Sequence, residues 1–230
     1  MFANRRDIDS EIWGKEMELR RGSLYLIEAA SGQGKSTFCS YIAGYRNDFA
    51  GSLLFDDNDT KNLKIADWVS VRRKSISLLF QELRLFSELS AWENVEIKNK
   101  LTGFKQQKTI REWFERLGIA DKMDTKVGKM SFGQQQRVAL MRALVQPFDF
   151  LLADEPISHL DDDNSAIMGE IMIEEAKSQG AAVIVTSIGK HIELNYERRI
   201  KLCVLFVNCC VSTSVCRSSQ ASRLPISLAC

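Results

Sequence analysis

Nine residues, Ala29-Ala-Ser-Gly-Gln-Gly-Lys-Ser-Thr37, leave this chain few folds to choose from. They follow an apolar run, Leu24 to Ile27, of the kind a buried strand carries. They precede Phe38, Tyr41, Ile42 and Tyr45, whose i, i+3, i+4, i+7 spacing predicts one face of a helix. Strand, glycine loop and helix in that order make a phosphate cradle. Gly32 and Gly34 let the backbone curl so that successive N–H groups point inward, and the helix N-terminus adds partial positive charge. Lys35 reaches the outer phosphates and Ser36 offers its hydroxyl to Mg²⁺, with Ser31, Gln33 and Thr37 completing the loop. The formal pattern begins with glycine where this sequence has Ala29. A methyl there costs about 1 kcal/mol if the position needs a glycine-like backbone, and almost nothing otherwise.

A chain of 230 residues can build one full core with a subdomain. Lys plus Arg (31) and Asp plus Glu (30) nearly balance, so no basic field calls for nucleic acid or an anionic membrane. No apolar run approaches the ~20 residues that span a bilayer. The segment Met1 to Glu11 lacks the apolar stretch of a signal peptide. A cytoplasmic chain is expected, with any membrane role exercised through a partner.

Alternation and punctuation predict the elements. Glu16 to Leu19 and Ser23 to Ile27 flank Arg21-Gly22 as two strands joined by a turn. Gly51 to Asp57 and Ser75 to Phe80 read as further strands. From Leu85 to Leu144 the pattern is helical, with capping-box form at Ser90-Ala-Trp-Glu93 and Thr109-Ile-Arg-Glu112. Ile110, Trp113, Phe114 and Leu117 form a core stripe that ends at Gly118. Phe150 to Ala153 is a strand running into Asp154-Glu155-Pro156, Asp161 to Asn164 cap another helix, and Ala181 to Thr186 is a last strand. The alternation predicts an α/β fold with a mostly parallel sheet covered on both faces and a helical subdomain inserted at about 85–144; the phosphate loop makes it a P-loop fold of the RecA-like kind, with a small antiparallel N-terminal β part.

A phosphate loop alone names no reaction; the second acidic site does. A carboxylate at the end of a buried strand, Asp154, can hold Mg²⁺ through water, and Glu155 beyond it can polarise a water in line with the γ-phosphorus. Together with Gly32-Gln-Gly-Lys-Ser-Thr37, the chain carries Phe80-Gln81, Leu85-Phe86 with Glu93-Asn94-Val95, Met130-Ser-Phe-Gly-Gln-Gln-Gln-Arg137, Leu151-Leu-Ala-Asp-Glu-Pro156 and Ser158-His-Leu-Asp161. Over residues 15–202 it resembles the ATPase subunits of ATP-binding cassette (ABC) transporters, most nearly the small lipoprotein-release, macrolide-export and cell-division type. The resemblance implies ATP and Mg²⁺ as cofactors. It implies Glu155, Lys35, Gln81 and Ser187 as catalytic residues, and Ser36, Gln81 and Asp154 as metal-facing ones. It makes Ser131, Gly133 and Gln134 the signature that closes on the opposite subunit's nucleotide, and Asp161 part of the loop coupling the two sites.

The sequence departs from that family at Ala29, at Phe132 in place of a signature glycine, and at Ser187, where members carry a histidine that donates to the γ-phosphate. Serine donates one hydrogen bond but carries no proton charge near neutral pH, so slow hydrolysis is expected. His191 is read as a surface histidine on a following helix rather than a displaced substitute, and His159 as a contact residue at the dimer seam. The aromatic that stacks on adenine is Trp13 or Phe2. Beyond Leu202 only Arg217 and Arg223 are charged, and Cys203, Cys209, Cys210, Cys216 and Cys230 accumulate without metal-ligand spacing. Residues 203–230 read as an atypical Ser/Cys-rich tail, dispensable for nucleotide binding and set apart from an ATPase domain at 1–202.

The implied function is an ATP-hydrolysing subunit that dimerises on ATP, with itself or a paired ATPase subunit, and drives a membrane permease from the inner face of the membrane. The alternative is an ATP-gated dimerisation switch with little or no hydrolysis. A role on nucleic acid is not expected.

Overall fold

The computed structural model describes residues 10–202 and 226–229, with the side chains of 226–229 set aside. Five strands, β5 (Ile76–Leu79), β6 (Phe150–Asp154), β7 (Ala182–Ser187), β2 (Leu24–Glu28) and β8 (Arg198–Lys201), lie in that spatial order. Every neighbour pair is parallel. Because successive strand residues face opposite sides, the two faces have separate cores. Leu26, Leu151, Ala153, Val183 and Val185 face one, while Tyr25, Ile27, Phe150, Leu152, Ala182 and Ile184 face the other.

The first core is closed by the predicted helical subdomain. It contains α3 (Ala91–Asn99), α4 (Gln107–Arg116) and α5 (Phe132–Leu144), followed after β6 by α6 (Asp162–Gln179). Ile110, Trp113, Phe114 and Leu117 are buried there as the spacing predicts. The second core holds α1 (Lys35–Ile42), which buries Phe38, Tyr41 and Ile42. Tyr45 does not share that face: the helix stops at Ile42, Gly44 takes φ +67°, and Tyr45 is 51% exposed.

Caps explain most helix starts. Ser90 and Glu93 exchange their capping-box bonds at 3.1 and 2.8 Å, and Ser131 does the same with Gln134. The box expected at Thr109 and Glu112 does not form, because α4 already begins at Gln107 and Thr109 lies inside it. Helix α2 (Ile65–Lys74) escapes sequence detection because it buries no residue completely, so no apolar stripe marks it.

A second, antiparallel sheet has the order β1 (Met17–Leu19), β9 (Ile226–Ala229), β3 (Ser52–Phe55), β4 (Asn58–Asp59). The chain turns between β3 and β4 through Asp56 and Asp57, both at positive φ as a two-residue hairpin turn requires. Strands β1 and β2 are not a hairpin, as the Arg21-Gly22 turn suggested; they enter different sheets. The tail is not wholly separate either, since β9 lies between β1 and β3 and pairs with both. The tail cysteines and Phe2 lie outside the described residues.

Gly44 is where this architecture tolerates least. An added Cβ would lie 2.3 Å from the Trp68 ring, which stands edge-on to Phe55, at a φ of +67°. Gly44→Ala should cost about 2 kcal/mol or more, read as a lower urea midpoint at unchanged slope.

Candidate functional site

The site lies at the C-terminal ends of β2, β6 and β7. Helix α1 starts at Gly34, in left-handed conformation at φ 92°, with no side chain capping its first turn. Its leading N–H groups therefore have no helical partner and suit an anion. Gly32 is also left-handed at φ 75°, whereas Ala29 is not among the positive-φ residues, so its methyl is accommodated without strain. The Trp13 Nε1–H, buried and without a hydrogen-bond partner, lies beside Gly34. These free donors fit a phosphate-bearing ligand at the loop.

Lys35 is only 5% exposed and its Nζ donates to the carbonyls of Ala29 (3.0 Å) and Ala30 (3.2 Å). It also lies 3.3 Å from Glu155 Oε1, while Gln81 Nε2 donates to Glu155 Oε2 at 3.2 Å. Three residues from distant parts of the sequence thus meet on one carboxylate. Glu155 has φ +49°, a conformation costly for a side chain of its size and held here by its N–H bonds to Thr186. The Thr186 hydroxyl donates to the buried Asp154 carboxylate at 2.5 Å, fixing one oxygen and leaving the other. Asp154, the exposed Ser36 hydroxyl and the exposed Gln81 amide are hard oxygen donors of the sort Mg²⁺ takes. Sequence reading passed over Thr186 because it registers as one more β-branched strand residue.

The loop after Phe80 is strained as well: Leu83 and Arg84 have φ 57° and 50°. Arg142 of α5 donates to both their carbonyls, at 2.6 and 2.7 Å. The stretch just beyond Gln81 is therefore fastened to α5, the helix that Ser131 opens. At that end Ser131 and Gln134 bond to each other, and Gly133 sits against the 158–161 loop: a Cβ on it would lie 3.0 Å from Leu160 Cδ2. Phe132 remains 41% exposed, with its ring 4.5 Å from that of His159. Asp161 caps α6, and the backbone and side-chain N–H groups of Asn164 hold its carboxyl below the usual range.

Three expectations change. Ser187 does not aim its proton at the cradle: its hydroxyl donates to the Lys190 carbonyl at 2.7 Å and accepts from Gly189 N–H at 2.9 Å. A short polar side chain is captured by its own turn, as serine readily is. Trp13 is 7% exposed and packed edge-on against Phe38 and Tyr41, so its face is not open to a base. His191 is neither helical nor superficial; its Nδ1 lies 3.1 Å from the Gly189 carbonyl oxygen, and its buried Nε2 has no hydrogen-bond partner, the nearest acid being Glu193 with Oε1 at 3.9 Å.

A groove of about 660 Å³ opens beside Phe80, lined by Tyr45, Val69, Arg72, Lys98 and Leu101 among others. Its lining includes four cationic residues and no carboxylate. Burial first, and the Arg142 charge second, pull the Lys98 ammonium down to about 8.

The sequence and the fold match those of known proteins. A family model described as ABC transporter matches residues 14–158. The chain is 32% identical over 194 residues to the lipoprotein-releasing system ATP-binding protein LolD of Myxococcus xanthus, covering 82% of this chain and 86% of that one. It is 30% identical over 189 residues to the macrolide export ATP-binding/permease protein MacB of a Shewanella species, covering 81% of this chain and 29% of that longer protein. The solved dimeric post-hydrolysis state of the ATP-binding cassette MJ0796, bound to ADP and Pi, matches with TM-score 0.70 at 28% identity, over 81% of this chain and 84% of that one. No helix among the described residues is long and apolar enough to cross a membrane.

Proposed function

Because this chain belongs to the ABC transporter family and is an ATP-binding subunit of the LolD and MacB type, we propose that it closes as a dimer on Mg-ATP and passes that movement to a membrane permease. The observation that carries this reading is the convergence of Lys35, Gln81 and Glu155, which puts a cation suited to phosphate, the amide of the loop after β5 and a carboxylate suited to activating water in one contact set. Phosphate at the uncapped end of α1 would draw Lys35 away from Glu155, freeing the carboxylate to orient water. Bound Mg²⁺, held by Ser36, Asp154 and Gln81, would supply charge neutralisation at the β- and γ-phosphates. Ser131, Gly133 and Asp161 would meet the second nucleotide from the partner subunit.

Hydrolysis is attenuated in this proposal, since Ser187 spends its proton on its own turn and no imidazole stands in its place. The groove beside Phe80 is the permease-facing surface, at the inner face of the membrane, and its cations suit a segment bearing a carboxylate. Phosphate release by the purified chain, with particle size measured with and without Mg-ATP, tests the reading. Slow turnover with ATP-dependent dimerisation supports it; dimerisation with no turnover favours an ATP-gated switch, and failure to bind ATP overturns both.

Lys98 gives a separate check. Its lowered pKa means the unfolded chain binds more protons between pH 8 and 10.5, so stability rises as pH climbs through that window. Lys98→Met should remove this rise and add about 2 kcal/mol at pH 7, while weakening association with the permease. Denaturant unfolding at several pH values measures the first effect.

A further inference from the structure

The turn after β7 and the loop after β6 leave neighbouring strand ends, and one side chain joins them. Lys190 Nζ donates to the Leu160 carbonyl at 2.7 Å and lies 3.1 Å from Asp162 Oδ1. The Asp162 side chain is 96% exposed, so that ion pair contributes little. The bond to Leu160 is different, because Leu160 is 7% exposed and its side chain packs where a Gly133 Cβ would be. The other end of the turn is equally anchored: Ser187 closes it through Gly189 and the Lys190 carbonyl, and the Ser187 carbonyl accepts from Ala29 N–H at 3.1 Å. A continuous series of contacts therefore runs from the first residue of the phosphate loop, through Ser187, Lys190 and Leu160, to the N-terminus of α5.

We propose that Lys190 is a positioning residue that couples the chain's own ATP cradle to the Ser131–Gly133 surface that meets a second subunit. It touches neither the cradle nor the reacting atoms; it sets where Leu160, and through it Gly133, stand relative to the loop that begins at Ala29. This rests on the proposed ATP-driven dimer and assigns the link within each subunit.

The full-length chain carrying Glu155→Gln provides a background in which ATP-bound dimers accumulate. In it, Lys190→Met should leave ATP affinity at low protein concentration unchanged and lower the melting temperature by no more than a few degrees, the loss of one partly exposed hydrogen bond. It should weaken ATP-driven dimerisation about tenfold, the scale of one charge-assisted hydrogen bond. Lys190→Arg, which keeps a donor within reach of the Leu160 carbonyl, should restore dimerisation; Asp162→Asn should not disturb it. Unchanged dimerisation in Lys190→Met overturns the proposal, as does a parallel fall in ATP affinity, dimerisation and melting temperature, which marks a purely structural tie. A background protein that binds ATP and never dimerises overturns the dimer reading along with it.

Discussion

Glu155→Gln will lower the rate of phosphate release by about 10²–10⁴-fold, the contribution of a positioned general base, and will hold the protein as an ATP-bound dimer. Among the described residues the carboxylate is the only acidic group in contact with both Lys35 and Gln81, and its side chain is 8% exposed. Glutamine fills the same space, its one carbonyl oxygen accepting from Lys35 and its amide N–H₂ meeting Gln81 once that side chain turns its own oxygen inward, and the backbone at φ +49° keeps its N–H bonds to Thr186. What it cannot do is polarise a water. The effect should appear in turnover with ATP affinity preserved or raised, because a neutral residue 155 no longer competes with phosphate for Lys35. Parent-like turnover in the variant would place the base elsewhere.

Lys35→Met should act on the opposite side of that contact and reduce ATP affinity by about a hundredfold or more, through loss of a buried cation at the phosphates. It also leaves the Glu155 carboxylate without its cation, the costly half of breaking a buried pair, about 3–5 kcal/mol before the surroundings relax. Calorimetric titration with Mg-ATP and thermal unfolding of the same sample separate the two losses. Lys35→Met combined with Glu155→Gln should recover much of the stability and none of the affinity. Recovery of affinity would mean that Lys35 serves the fold alone.

The parts of the fold that could be read from sequence are those whose signal is local. Leu24 to Ile27 and Phe150 to Ala153 are continuous apolar runs because their strands are covered on both faces. The capping residues at Ser90, Ser131 and Asp161 act within four residues of themselves. Helix α2 was illegible because its residues Ile65 and Val69 face outward, at 84% and 44% exposure. Thr109 misled because a hydroxyl and a carboxylate three apart describe an N-terminus only if the helix has not already begun.

At the site, Lys35, Gln81, Asp154 and Glu155 could be named in advance, since each sits at a strand end or loop with its chemistry intact. Ser187 and Trp13 could not be judged so. Whether a hydroxyl faces a ligand or its own turn, and whether an indole lies open or beneath Gly34, is decided by neighbours far away in sequence. Lys190 had no motif to announce it, because its significance is the Leu160 carbonyl thirty residues upstream.

The strand β9 has a consequence for how the protein is made. Met17 pairs with Leu228 and Leu53 pairs with the same residue from the other side. The parallel sheet, complete with β8 at Lys201, can form while the chain is still emerging from the ribosome. The antiparallel sheet cannot, since its inner strand β9 is made long after β1 and β3 and must find both partners across a large separation in sequence. During that interval β1 and β3 present bare edges, and any extended segment that reaches them first, from a neighbouring nascent chain included, competes for the place.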